Sequence, residues 1–126
     1  MKISPADKAF ADCVKYEAKN ICARCGVQRE RAECSHIHGR RHRTIRWCKD
    51  NAICKCHTCH RWWHENPTES GEWFKEKYGE ERVNILLIKK NMRQKVSKIE
   101  EKEIAKHYRQ QLKLMKEGQE TFESWQ

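Results

Sequence analysis

A small α+β protein is the expected form of this chain: a cysteine-rich finger, with one helix before it and a run of helices after it. Three observations lead there. Paired Cys-x-x-Cys spacings stand at residues 22–25 and 56–59. Two short β-compatible pieces lie between them, at 35–38 and 45–47. Helix-period apolar residues fill the stretches on either side. The chain divides accordingly into an N-terminal helix over 1–21, the finger over 22–66 and a helical extension over 67–126.

Ser4-Pro5-Ala6-Asp7 opens the first helix, with Ser4 as N-cap, Pro5 in the first turn and an early acid. Ala6, Phe10, Cys13, Val14 and Glu17 keep a mostly apolar stripe, so this helix is expected over 5–18. Gly26 gives the tight turn that a metal knuckle needs. From 33 to 55 the pattern is irregular, and Gly39 with the Arg-rich run after it implies a long loop between the β pieces. A helix is expected from about residue 59 to Glu65. It stops at Asn66, because a residue before proline is steered away from helical angles. Thr68 caps the next helix, which runs through Tyr78 and ends at Gly79. Another spans 80–91 and carries Val83, Leu86, Leu87 and Ile88. Ser97 and Glu100 make a capping-box pattern before a last helix whose stripe is Ala105, Tyr108, Leu112 and Met115, with Ile104 beside it. His107 on that helix is expected to be solvated, and the last eight residues, which lack a period, to be loose.

Hydrophobic residues make up 37% of the chain and charged ones 36%, so the core is small and calls for a staple. No apolar run exceeds the four residues 85–88, which argues against a membrane span or a signal-peptide core. The expected location is the cytoplasm, where thiols stay reduced and Cys-x-x-Cys pairs signify metal rather than disulfides. The net charge of +9 is uneven: residues 1–66 hold fourteen Lys/Arg against seven Asp/Glu, residues 67–126 thirteen against eleven. The first half also holds every cysteine and six of the seven histidines. A basic, metal-rich half implies a polyanionic partner, most simply nucleic acid.

Cys22, Cys25, Cys56 and Cys59 offer four thiolates, which suit a closed structural Zn²⁺ site whose binding would add folding free energy. Cys54 is the rival ligand, since CKCHTC can be read in more than one frame, and Cys13 reads as a small core residue. With Cys56 and Cys59 used, His60 and His64 remain at i and i+4 on one helix face, where two imidazoles can bind one ion. Asn51 stands nine residues before His60, and His36 lies further back in SHIHGRR.

This order, His36 and then Asn51-x8-His60-x3-His64 within Cys-x-x-Cys brackets, resembles the zinc-stapled HNH nucleases. The resemblance implies a ββα-metal finger that binds one divalent ion and hydrolyses phosphodiesters. SHIHGRRHRTIRW, DNAICKCHTCHRWWHENP and EWFKEKYGEERVNILL are similar to the phage NinG (Rap) recombination nuclease family, from the first helix to about residue 115. That likeness implies an endonuclease for branched recombination intermediates, a Holliday junction or D-loop, in the cytoplasm of a bacterial host.

Hydrolysis of a phosphodiester needs a base, and His36 is the best placed. By resemblance Asn51 orients its imidazole, and His60 and His64 bind a catalytic ion, Mg²⁺, Mn²⁺, Ni²⁺ or Zn²⁺. Ser35 stands where many HNH proteins place a metal-binding Asp or His, so His38 becomes a further ligand candidate, with His42 behind it. Arg40, Arg41 and Arg46 suit phosphate, since a guanidinium grips two oxygens. Arg43 and the acid-free run with Lys89, Lys90, Arg93, Lys95 and Lys98 suit a DNA backbone. Trp47, Trp62 and Trp63 read as packing residues. The last helix can fold back on the finger or pair with a second copy, and a two-fold dimer would suit a junction. Two rival readings are another phage HNH nicking enzyme and a zinc-finger nucleic-acid-binding protein without catalysis.

Overall fold

The computed structural model describes residues 2–125. In chain order it contains α1 (Pro5–Glu17), β1 (Glu33–His36), β2 (Ala52–Lys55), α2 (His57–Glu65), α3 (Pro67–Tyr78), α4 (Glu80–Met92) and α5 (Lys98–Lys116), with a 3-10 turn at Lys49–Asn51. This is a small α+β protein with five helices and a two-stranded sheet among the described residues.

α1 starts where the sequence signals it. The Ser4 hydroxyl accepts from the Asp7 amide at 3.2 Å, and the Asp7 carboxylate accepts from the Ser4 amide at 2.9 Å. Ala6, Phe10, Cys13 and Val14 form its buried face, which packs against Ile104, Ala105, Tyr108 and Met115 of α5. The first and last helices therefore build the main core, and Trp47, Ala52 and Cys54 of the finger close it from the third side. Phe10 meets Tyr108 edge-on at 5.0 Å.

The described residues after α5 are not loose. Phe122 is buried in the α1–α5 core, its amide donates to Glu17 at 3.0 Å, and its carbonyl accepts from the Lys49 ammonium at 2.7 Å. The Trp125 amide donates to the Tyr108 hydroxyl, which in turn donates to the Trp47 carbonyl. Large apolar side chains anchor this segment without any helical period, so a search for periodicity passes over it. His107 belongs to the same corner, with its ring against Tyr108 and Trp125.

β1 and β2 pair antiparallel, with Cys34 opposite Cys54 and His36 opposite Ala52. Both differ from the expected pieces at 35–38 and 45–47. Residues 45–47 instead lie in successive turns, with the Ile45 amide on His42 O and the Cys48 amide on Ile45 O, each at 3.1 Å. The cause is non-local: Asn51 takes the Ile45 carbonyl, while Asp7 takes the Arg46 and Trp47 side chains. All four residues of β2 are buried, so no alternation marks it in the sequence.

α2 begins at His57, two residues earlier than expected, because Cys56 acts as its N-cap. Asn66 ends α2 and also precedes Pro67, the first residue of α3, so the two helices join with no loop. No helix among the described residues is long and apolar enough to cross a membrane.

Candidate metal centre and histidine cleft

The two knuckles converge. The Sγ atoms of Cys22, Cys25, Cys56 and Cys59 all lie within 4.8 Å of one another. Cys25 and Cys56 are 3.7 Å apart, close to the roughly 3.8 Å edge of a tetrahedron with Zn–S bonds of about 2.3 Å. Gly26, at φ +76°, turns the first knuckle so that its amide reaches Cys22 O at 2.9 Å. The Ala23 amide then donates to Cys54 O at 2.9 Å, fastening the knuckle to the end of β2. In the second knuckle the Cys59 amide donates to the Cys56 sulfur at 3.4 Å.

The charges of this cluster call for a cation. Burial raises the Cys22 thiol, but the backbone amides of Cys25, Cys56 and Arg24 outweigh it and bring it down to about 6. Cys59 is pushed up to about 12 by burial and by the three sulfurs around it. Four thiols so close do not all ionise unaided, and a divalent ion supplies the missing countercharge. These four cysteines can thus hold a structural metal such as zinc. Cys54 is excluded as a rival: it lies in the hydrophobic core beside Cys34, and burial pushes its thiol up to about 11.

On its other side α2 presents His60 and His64 to a cleft of about 800 Å³. His36 from β1 and Arg40 and Arg41 from the following loop line the same space, with α1 as the opposite wall. The Nε2 atoms of His60 and His64 are 3.1 Å apart. Two lone pairs at that separation repel unless a proton or a cation lies between them, and about 3.0–3.4 Å is the spacing of two nitrogens on one ion with bonds near 2.1 Å. The His60 Nδ1 donates to Glu33 at 2.7 Å, because a carboxylate can only accept. That fixes the hydrogen on Nδ1 and leaves the Nε2 lone pair for a metal. Against the desolvation of partial burial, hydrogen bonds from His60 and His57 hold the Glu33 carboxyl below its usual range.

Glu33 is the residue that the sequence analysis missed. The available signal was its place on the strand face of Ser35, two residues along, where a metal ligand or its support belongs. Ser35 itself is fully buried and accepts from the Lys55 ammonium at 3.1 Å. His38 does not join His60 and His64 in a cluster of ligand atoms. Among the described residues, the cysteine set is the only group of three or more His, Cys, Asp or Glu ligand atoms within 4.8 Å of one another.

His36 donates from Nε2 to the Arg46 carbonyl at 2.9 Å, so its Nδ1 is left with the lone pair in the neutral ring. Burial lowers its pKa from the ordinary 6.5 and so favours the neutral ring, outweighing the carbonyl, whose hydrogen bond pulls the other way. Asn51 does not touch this ring. Its carboxamide accepts from the His38 amide and donates to the His38 and Ile45 carbonyls, at 2.9, 2.9 and 3.1 Å. Asn51 therefore shapes the loop after β1, and the orienting acceptor is a backbone carbonyl that this loop brings into place.

Arg46 also differs from expectation. Its guanidinium is buried and bound to both Asp7 oxygens, at 2.9 and 2.5 Å, so it is not open to phosphate. Asp7 accepts the Trp47 indole N–H as well, at 3.0 Å, and lies 3.4 Å from Arg40. An acid read only as a helix-start signal thereby ties α1 to the loop carrying the His36 acceptor.

Of the basic residues assigned to DNA, Arg41, Lys90, Arg93 and Lys95 line a second groove of about 770 Å³. Arg41 lines the cleft too, so it stands between the two. Arg43 at this groove is occupied by Glu101 at 3.0 Å and the Val96 carbonyl at 3.3 Å. Lys89 is not among the residues lining it. Trp62 is covered by the Arg24 guanidinium at 3.6 Å and Trp63 by the Lys55 ammonium at 3.5 Å, which fits packing rather than base stacking.

Comparison with protein families matches residues 3–120 to the bacteriophage lambda NinG protein. No curated protein and no solved structure matches the chain.

Proposed function

The chain belongs to the bacteriophage lambda NinG protein family, and from that membership and the histidine cleft we propose that it is a metal-dependent HNH endonuclease acting on branched DNA in phage recombination. One observation carries the reading: a neutral, carbonyl-oriented His36 shares a cleft with two imidazole nitrogens set 3.1 Å apart. A nucleic-acid-binding module has no need of that arrangement.

His60 and His64 would hold a divalent ion, which when bound supplies positive charge to the scissile phosphate and the leaving oxygen. His36 Nδ1 takes a proton from the attacking water as its oxygen bonds to phosphorus. The bond from phosphorus to the leaving sugar oxygen breaks, and that oxygen gains a proton from solvent. Arg40 and Arg41 bind the flanking phosphates, and Lys90, Arg93 and Lys95 carry the strand away along the second groove.

The test is cleavage of a labelled four-way junction and a matched linear duplex, with Mg²⁺ or Mn²⁺, by the wild type and by His36→Ala. Loss of the base is expected to slow cleavage roughly 10²–10⁴-fold, while a gel shift shows unchanged binding. Equal cutting of the duplex would retain the nuclease and remove the preference for branches. A folded, metal-loaded wild type that binds both substrates and cuts neither would overturn the enzyme in favour of a binding module.

A further inference from the structure

α5 gathers its positive charge on one side. Its basic residues are Lys98, Lys102, Lys106, Arg109, Lys113 and Lys116. At about 100° per residue all six fall within an arc of roughly 80°. The acids of the helix, Glu100, Glu101 and Glu103, all fall outside that arc. Every one of the six cations is exposed, and among the described residues none has a salt bridge or a side-chain hydrogen bond. Lys98 and Lys102, Lys102 and Lys106, and Arg109 and Lys113 are like charges four residues apart, an arrangement that destabilises an isolated helix. The stripe thus works against α5 by itself and calls for an anionic partner.

We propose that this stripe is a second DNA surface, which takes another arm of a branched substrate while the histidine cleft and its basic groove hold the arm to be cut. The apolar face of α5 is occupied by α1, so the helix has none to insert into a lipid surface. The stripe runs about 27 Å at 1.5 Å per residue, and a duplex presents one negative charge per roughly 1.7 Å of its axis. A single duplex can therefore offer a phosphate to each cation. Lys98, Lys102 and Arg109 also line a hollow of about 450 Å³ beside Pro5 and Ala6 of α1, which gives a backbone a seat. Glu101 in the same hollow is neutralised by Arg43.

The direction of the stripe makes the arm a separate one. Glu100 lines the basic groove, and it sits about 160° around the helix from the middle of the stripe. α5 therefore stands between the two surfaces. A straight duplex lying in the groove does not reach the stripe, whereas a junction has a further arm to place there. The inference rests on the DNA reading above for its ligand, and not on the metal chemistry of the cleft.

Fluorescence anisotropy of the full, zinc-loaded chain tests it, with a labelled four-way junction and a matched linear duplex, over a range of salt and without Mg²⁺ or Mn²⁺. Lys102→Gln, Arg109→Gln and Lys113→Gln combined should weaken junction binding about ten-fold or more at about 0.15 M salt. The slope of log affinity against log salt should fall by about 2–3, as the loss of three phosphate contacts requires. Duplex binding should change by less than about two-fold, and circular dichroism and the melting curve should stay those of the wild type. Lys102→Arg with Lys113→Arg keeps the charge and should keep the affinity. A folded triple variant with wild-type junction affinity and salt slope overturns the proposal. Equal losses on junction and duplex overturn it too, because no separate arm is then involved. So does binding to phosphatidylserine vesicles that needs the three cations when junction binding does not. Since binding is read without cleavage, a wild type that needs these cations to hold the junction yet never cuts it supports this surface and overturns only the nuclease.

Discussion

Cys59→Ser, or removal of the metal by a strong chelator, is expected to unfold the chain. Structural zinc sites contribute about 10–16 kcal/mol of apparent binding free energy, and whole domains are stable by only about 5–15 kcal/mol. Here the knuckle fastens the end of β2 through the Ala23–Cys54 bond and forms the N-cap of α2, so both halves of the finger depend on it. Metal analysis should find one zinc per folded chain, and thermal melting should lose its cooperative transition in Cys59→Ser. Cys54→Ala is the control: it removes a core thiol and should keep the zinc. Retention of a wild-type melt after complete removal of metal would refute the stapling role.

Asp7→Asn is expected to cost about 3–5 kcal/mol, since it leaves the buried Arg46 without its counterion. For a domain of this size that corresponds to a fall in Tm of order 10–20 °C. Burial raises the Asp7 carboxyl, but the hydrogen bonds and charge of Arg46 and the bonds from Ser4 dominate and hold it at about 2, below its ordinary 3.8. In the acid range the unfolded chain therefore binds the proton more tightly than the folded one. The contribution of the pair is complete above about pH 3.8 and is lost as the pH falls towards 2. Acid titration of the Tm should be steeper there for the wild type than for Asp7→Asn. Because the backbone of Arg46 holds His36, the same variant should also lose the nuclease activity proposed for the cleft, even under conditions where it remains folded.

These two expectations mark what the sequence made legible. The knuckles, the His36–His60–His64 set and most helix starts could be read because each is local or depends on a fixed spacing. Ser4 caps α1 as foreseen, and Asp7, expected only as an early acid, returns the bond. Ser97 accepts the Glu100 amide at 3.1 Å, as its pattern implied. The misplaced elements all depend on partners distant in sequence. The 45–47 piece has β-like residues, yet Asp7 and Asn51 hold it in turns. The segment with Phe122 and Trp125 is ordered by α1 and by Tyr108. Glu33 acquires its role only when β1 lies beside α2, and Arg46 exchanges an expected phosphate for an acid thirty-nine positions away.

The indoles of Trp62 and Trp63 on α2 each approach Trp73 of α3 nearly at right angles, with ring centres 6.3 and 6.4 Å apart. The other two of the five tryptophans, Trp47 and Trp125, belong to the α1–α5 core. The chain thus carries two separate chromophores, and one of them is attached to the helix that bears ligands for both proposed metals. Near-ultraviolet dichroism from the coupled trio can report the state of that helix, while the remaining pair serves as an internal spectroscopic reference in the same molecule.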